Sequence, residues 1–180
     1  DLLLSVYRFL GLDYPKFYKM DQLSKLGWLA SEILLQHEAG IGSYPPEEIG
    51  LVLSNANSSL DTDNKYWETV KAVASPAVFV YTLPNIMMGE ISIRNGFKGE
   101  NGFFIFDRFD AAFLEQYVGY LFDTQLLTVC ICGWVDLLDD EYQAVLFLVA
   151  NGSGDPAANG AGNLIFSKEN LDMIYKEAQQ

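Results

Sequence analysis

The sequence predicts an α/β fold with a mixed, mostly parallel sheet of about five strands and helices on both faces. Two observations carry this. Segments with apolar residues three and four apart alternate with apolar runs of strand length. Those runs are apolar throughout rather than at every second residue, the pattern of strands covered on both sides. The chain has 180 residues, half of them hydrophobic and only 19% charged. That suits one domain with a sizeable core, residues 1–180, and excludes wholesale disorder.

The elements follow in order. Asp21 can cap a helix whose apolar face is Leu23, Leu26, Ala30, Ile33 and Leu34, ending near Gly40. Pro45-Pro46 breaks the chain, and residues 49–54 read as a buried strand. Asp61 or Thr62 caps a short helix through Tyr66, Trp67, Val70 and Val73. Leu83-Pro84 opens another helix that holds Ile86, Met87, Met88, Ile91 and Ile93 and stops near Gly96. Residues 103–106 form a short apolar strand, and Asp110 caps a helix carrying Phe113, Leu114, Tyr117, Val118, Leu121 and Phe122. Residues 128–135 and 144–149 are strands joined across the acidic turn Asp139-Asp140-Glu141 as a hairpin. Residues 151–163, rich in Gly and Asn, read as a flexible loop. Ser167 caps a last helix through Leu171, Ile174 and Tyr175. The chain opens on Asp1 rather than Met, as a trimmed product does, and Leu2-Leu3-Leu4 is too short and poorly flanked for an intact signal peptide.

Composition removes several function classes. The formal net charge is −13, which argues against nucleic acid or an anionic bilayer as partner, since either favours a basic face. No run of about 18 apolar residues appears, so no membrane span is expected. Two cysteines and one histidine cannot build a disulfide framework or an ordinary zinc site, and no cofactor is implied. The expected location is cytoplasmic.

Three segments, taken together, resemble the N-terminal half of the β-ketoacyl-acyl-carrier-protein synthases. The first is residues 19–27, Lys-Met-Asp-Gln-Leu-Ser-Lys-Leu-Gly, which is similar to the family's opening helix. The second is the strand 49–54 followed by Asp61-Thr62-Asp63. The third is residues 75–99, with Leu83-Pro84-Asn85, Gly89, Ile91-Ser92-Ile93 and Gly99 placed as the family places them. Cys132-Gly133-Trp134-Val135-Asp136 further resembles the family's Gly-rich strand end, so the resemblance spans roughly residues 14–150. It implies a thiolase-like half-domain that lacks the family's first strand, with a role in fatty-acid or polyketide-type biosynthesis.

The departures bear on activity. After Gly99 the family has a strand and then a nucleophilic Cys that opens the next helix, where the helix N-terminus stabilises its thiolate. Arg108, or a neighbour within one position, stands there in this sequence. The family's two catalytic histidines and its lysine belong to a second half that this sequence does not contain. No catalytic residue is assigned. The resemblance implies a non-catalytic structural or regulatory subunit, a pseudoenzyme. The alternatives are a diverged acyl-transfer enzyme using another residue and a binding module that keeps only the fold.

Cys130 and Cys132 share one face of a strand and could bind metal or act as nucleophile, but read more simply as small core residues. His37 could be a pH switch or base, and more simply serves the last carbonyls of its helix. Asp61, Asp63, Asp107 and Asp110 could form an oxygen-rich cation site, although capping already accounts for Asp61 and Asp110. Asp136, Asp139, Asp140 and Glu141 could hold a calcium ion, but their spacing matches no known loop and they read more simply as a solvated turn.

A partner surface is expected instead. In full synthases the strand resembling 103–106 forms the dimer seam beside the helix that follows, and aromatic residues suit an interface. The candidates are Phe103, Phe104, Phe106, Phe113 and Tyr117, with Ile86 and Met87 from a helix expected to face the absent half. The expected assembly is a homodimer, or a heterodimer with a full-length ketoacyl synthase. If the exposed layer is covered internally, the C-terminal helix from Ser167 is a candidate cover. Acyl carrier protein is a possible but weak partner: carriers are acidic, this chain is too, and the cations Lys16, Lys19, Lys25, Arg94 and Lys98 are few.

Overall fold

A computed structural model describes residues 2–36, 38–152 and 164–179. The loop read at 151–163 lies outside the described residues from 153 onward, as does His37.

Four strands form one sheet in the order β2-β1-β3-β4. β1 is Ile49–Asn55, β2 Asn101–Ile105, β3 Val129–Leu138 and β4 Glu141–Ala150. β1 pairs in parallel with β2 on one side and β3 on the other. β4 folds back antiparallel to β3 around Asp139, whose φ of 53° makes the tight turn. Among the described residues there are four strands, against the about five expected. β1 is bonded along both edges, so no further strand fits between it and either neighbour.

Every residue of β1 is buried. Leu51 and Leu53 face one core and Val52 faces the other, which is why the strand is apolar without alternation. On the first face lie α1 (Leu2–Phe9), α2 (Gln22–Leu35) and α5 (Asn85–Asn95). On the second lie α6 (Ala111–Asp123) and α7 (Lys168–Glu177). Two further helices, α3 (Leu60–Val70) and the single turn α4 (Pro76–Phe79), connect β1 to α5.

Side-chain caps begin three of these helices where the sequence places them. Asp21 accepts the Ser24 amide at 3.0 Å, Asp110 that of Phe113 at 2.9 Å, and Ser167 that of Asn170 at 3.4 Å. Gly96, at φ 74°, ends α5 in the left-handed conformation. Two boundaries differ. α2 stops at Leu35 rather than near Gly40, and Ala39–Ser43 forms a 3-10 turn instead. α3 starts at Leu60, so Asp61 and Thr62 lie inside it rather than capping it. The cause is a turn at Ser58, φ 51°, whose amide donates to Asn55 Oδ1 while Asn55 Nδ2 donates to the Ser58 carbonyl. That turn sets the helix going earlier than the acidic residues suggest.

α1 is an element the sequence reading did not identify. Its Leu3 and Tyr7, one turn apart, are buried. Tyr7 stacks on Phe17 with centroids 4.2 Å apart, and Trp28 of α2 packs behind both. This N-terminal cluster covers α2. The C-terminal helix α7 packs on the opposite face of the sheet, so it is not the cover expected for that layer.

Candidate functional site

β2 ends at Ile105, and the loop 106–110 leads into α6. The place where the resemblance puts a nucleophile is therefore the start of α6, as expected for a strand–turn–helix site. Arg108 is exposed there, and no thiol or hydroxyl lies between Phe106 and Ala112. The cap on the first turn of α6 is a carboxylate, Asp110, in the position where a thiolate would draw on the helix dipole.

Behind Arg108 the chain turns inward. Phe109 is buried and stacks on Tyr175 of α7, with centroids 4.2 Å apart and planes 13° from parallel. Trp134 of β3 stands edge-on to both rings. Gln143 Oε1, on β4, accepts from Trp134 Nε1 at 2.9 Å and from the Tyr175 hydroxyl at 3.2 Å. Burial pushes the Tyr175 phenol's pKa up, opposed in part by the Gln143 bond. This constellation joins the sheet, the α6 loop and α7, and it offers neither a base nor a nucleophile at neutral pH. The sequence reading missed it, because its four members come from segments that only the fold brings together.

The two cysteines lie on β3, both fully buried on the α6 side. The Cys130 thiol contacts the Ile131 carbonyl at 3.6 Å. Hydrogen bonding to Cys130, then burial, pushes the Cys132 thiol well above the ordinary range. Both thiols are shut off from solvent. Among the described residues no group of three or more His, Cys, Asp or Glu could hold a metal ion. Asp61 pairs with Lys65 at 2.6 Å, and Asp63 accepts from Ser59 Oγ at 3.3 Å. Asp136 is not part of a solvated turn. It lies on β3 and accepts both the amide and the side-chain Nδ2 of Asn57, at 3.1 and 2.8 Å.

The interface candidates divide. Phe104, Phe106, Phe113 and Tyr117 form one half-buried cluster between β2 and α6, with successive centroids 4.6 to 5.5 Å apart. Phe103 faces the opposite core. Ile86 is half-buried. Met87 is 1% exposed, and its thioether fills the space left by Gly27 on α2. It belongs to the core of this chain and is withdrawn as an interface residue. The face that α5 and its approach do leave open carries Ile93 and Leu83.

The cations considered for carrier docking are mostly engaged within the chain. Lys16 sits 2.7 Å from the buried Glu90, whose other oxygen accepts from Tyr81. Arg94 grips Glu32 with two bonds of 3.2 Å and lies over the rings of Tyr14 and Trp28. The Glu32 bond holds its guanidinium pKa up. Lys98 meets Glu47 at 3.3 Å, and Lys25 lies over Phe17.

No family model and no curated protein matches the sequence. Solved structures do. The ishigamide ketosynthase/chain length factor is similar at a TM-score of 0.60 and 20% identity, over 74% of this chain and 38% of that one. The chain has a ketosynthase-like thiolase fold. A chain of the AntDE:AntF structure also matches, at a TM-score of 0.55 and 20% identity, over 72% of this chain and 38% of that one. That structure is described as a type II polyketide-synthase acyl-carrier protein in complex with its ketosynthase bound to the hexaketide. This ketosynthase-like chain thus spans 38% of the length of each of these neighbours. Within the described residues, no helix is long and apolar enough to cross a membrane.

Proposed function

We propose that this chain is a non-catalytic, ketosynthase-like subunit of a polyketide- or fatty-acid-type assembly, and that it works beside a catalytically complete ketoacyl synthase. The observation that carries the reading is the start of α6, where Arg108, Phe109 and Asp110 stand in place of a nucleophile. The burial of both thiols supports it. The neighbours, one of them a ketosynthase/chain length factor, support the polyketide setting.

The partner surface in this reading is the outer edge of β2 together with the aromatic cluster under α6. Ile105 is exposed there and Phe104 and Tyr117 are only half-covered. Direct binding of acyl carrier protein is weak, because the chain is acidic and most of the cations considered for docking are engaged.

Two measurements test the reading. Incubation with an acyl-carrier thioester should leave the chain unacylated, and a stoichiometric thioester at Cys130 or Cys132 would make it an acyl-transfer enzyme. Co-purification of the native protein should bring down a full-length ketoacyl synthase. A chain that carries no such partner, under conditions that preserve known synthase pairs, is a binding module that keeps only the fold.

A further inference from the structure

The two edges of the sheet differ in length and in protection. β2 offers five residues, whereas β4 offers ten, bonded among the described residues to β3 along one side only. From Tyr142 to Ala150 β4 carries neither charge nor proline, the devices that blunt edge strands in soluble proteins. Of these residues only Val145 and Val149 are buried. On the α1–α2 side, Tyr142, Ala144 and Leu146 floor an apolar groove of about 450 Å³ with Val6, Leu29 and Ile33 along its walls.

The strand is also complementary to itself. Side chains directly opposite in an antiparallel pair point to the same face, and a one-residue slip would exchange the faces. Only registers that keep groove face against groove face are therefore compatible with helices on both sides. A two-fold axis through Leu146 is such a register. It sets Tyr142 against Ala150 and Ala144 against Leu148 on the groove face, so a bulky side chain meets a small one on either side of the axis. On the other face Val145 meets Phe147 and Gln143 meets Val149. Glu141, the one charge on the strand, meets Asn151 rather than a second carboxylate.

We propose that β4 is the docking edge for a second copy of this chain, added antiparallel about a two-fold axis at Leu146, so that two four-stranded sheets become one. This edge is the one opposite β2, and the proposal stands without the ketosynthase-partner reading. Both copies are at −13, so the contact is apolar and backbone-bonded and works against charge repulsion. Added salt therefore strengthens it.

Sedimentation of the full chain across micromolar concentrations should show mass rising from 20.1 kDa toward twice that value, more readily at high salt. Hydrogen exchange should show protection of Glu141–Ala150 that grows with concentration, with none in Asn101–Ile105. Leu146→Lys places two lysines face to face on the axis and should weaken association about ten-fold or more, and Leu146→Glu likewise. Mixing the two variants should restore the dimer, which mere loss of folding would not do. A monomer at every concentration, concentration-dependent protection at β2 in place of β4, dissociation by salt, or failure of the mixed variants to pair would each overturn the proposal. None of these results bears on acylation or on synthase co-purification, so the two readings fail separately.

Discussion

Phe109 and Tyr175 stack ring on ring, although one belongs to the loop before α6 and the other to the last helix of the chain. The pair anchors α7, whose one fully buried side chain is Leu171. Its hold on the sheet thus rests on few contacts, and the aromatic pair is a large share of them.

Tyr175→Ala should destabilise the chain by about 2 kcal/mol, since a half-buried ring is lost together with its hydroxyl's bond to Gln143. A double-mutant cycle with Phe109→Leu should show coupling of about 1 kcal/mol. Urea unfolding of the four proteins measures both. Limited proteolysis should cut first near α7 in the Tyr175 variant. Coupling near zero would mean that the stack is incidental.

Asp21 has two tasks. Oδ1 caps α2, and Oδ2 accepts the hydroxyl of the buried Thr62 at 2.6 Å, tying α3 to the start of α2. Asp21→Ala removes a cap worth about 1 kcal/mol and strands a buried hydroxyl at a similar cost, about 2 kcal/mol together. Asp21→Asn caps equally well through its oxygen, and its Nδ2 can donate to the Thr62 hydroxyl in place of accepting from it, so it should lose less than about 0.5 kcal/mol. Chemical denaturation of both variants separates the bonding role from the charge.

These caps mark the limit of what sequence could reveal. Asp21, Asp110 and Ser167 were legible because a cap acts on an amide three residues away. Continuous apolar runs likewise identified β1 and β3, which are covered on both faces. The start of α3 was hidden because the Asn55–Ser58 turn competes with two acidic residues that look like better caps. Met87 looked like an outward residue because periodicity cannot show that Gly27, on another helix, leaves it a hole to fill. The constellation of Phe109, Trp134, Gln143 and Tyr175 depends wholly on sheet order.

Gly133→Ala should be among the most damaging single-methyl changes. Gly133 sits on β3 at φ 149°, and a Cβ there would run into the carbonyl oxygen of Val145 and approach Leu146 Cα at 3.0 Å. Both are backbone atoms of the adjacent strand and cannot rotate away. Strained dihedrals and overpacking together should cost about 3 kcal/mol or more. Thermal unfolding measures the loss, and a variant as stable as the parent would mean that the β3–β4 pair is looser than described.

The buried Cys132 thiol makes stability fall on the alkaline side. The folded chain holds the Cys132 proton to higher pH than the unfolded chain does, owing to Cys130 and burial. Between the ordinary thiol pKa of 9.0 and the raised folded value, the folded state therefore binds more protons, and stability declines as pH rises. Its contribution is complete below pH 9.0 and is lost above it. Tyr81, raised by burial and by Glu90, and Tyr175, raised by burial, act in the same direction from about pH 10 upward. Stability measured by urea at successive pH values should thus be flat near neutrality and bend downward near pH 9. Cys132→Ala should remove the first bend and leave the tyrosine-linked decline. In native buffer a thiol reagent should label neither cysteine, and in denaturant both. Rapid labelling of Cys132 in the folded protein, or an alkaline limb unchanged in Cys132→Ala, would show that its thiol is not held protonated in the core.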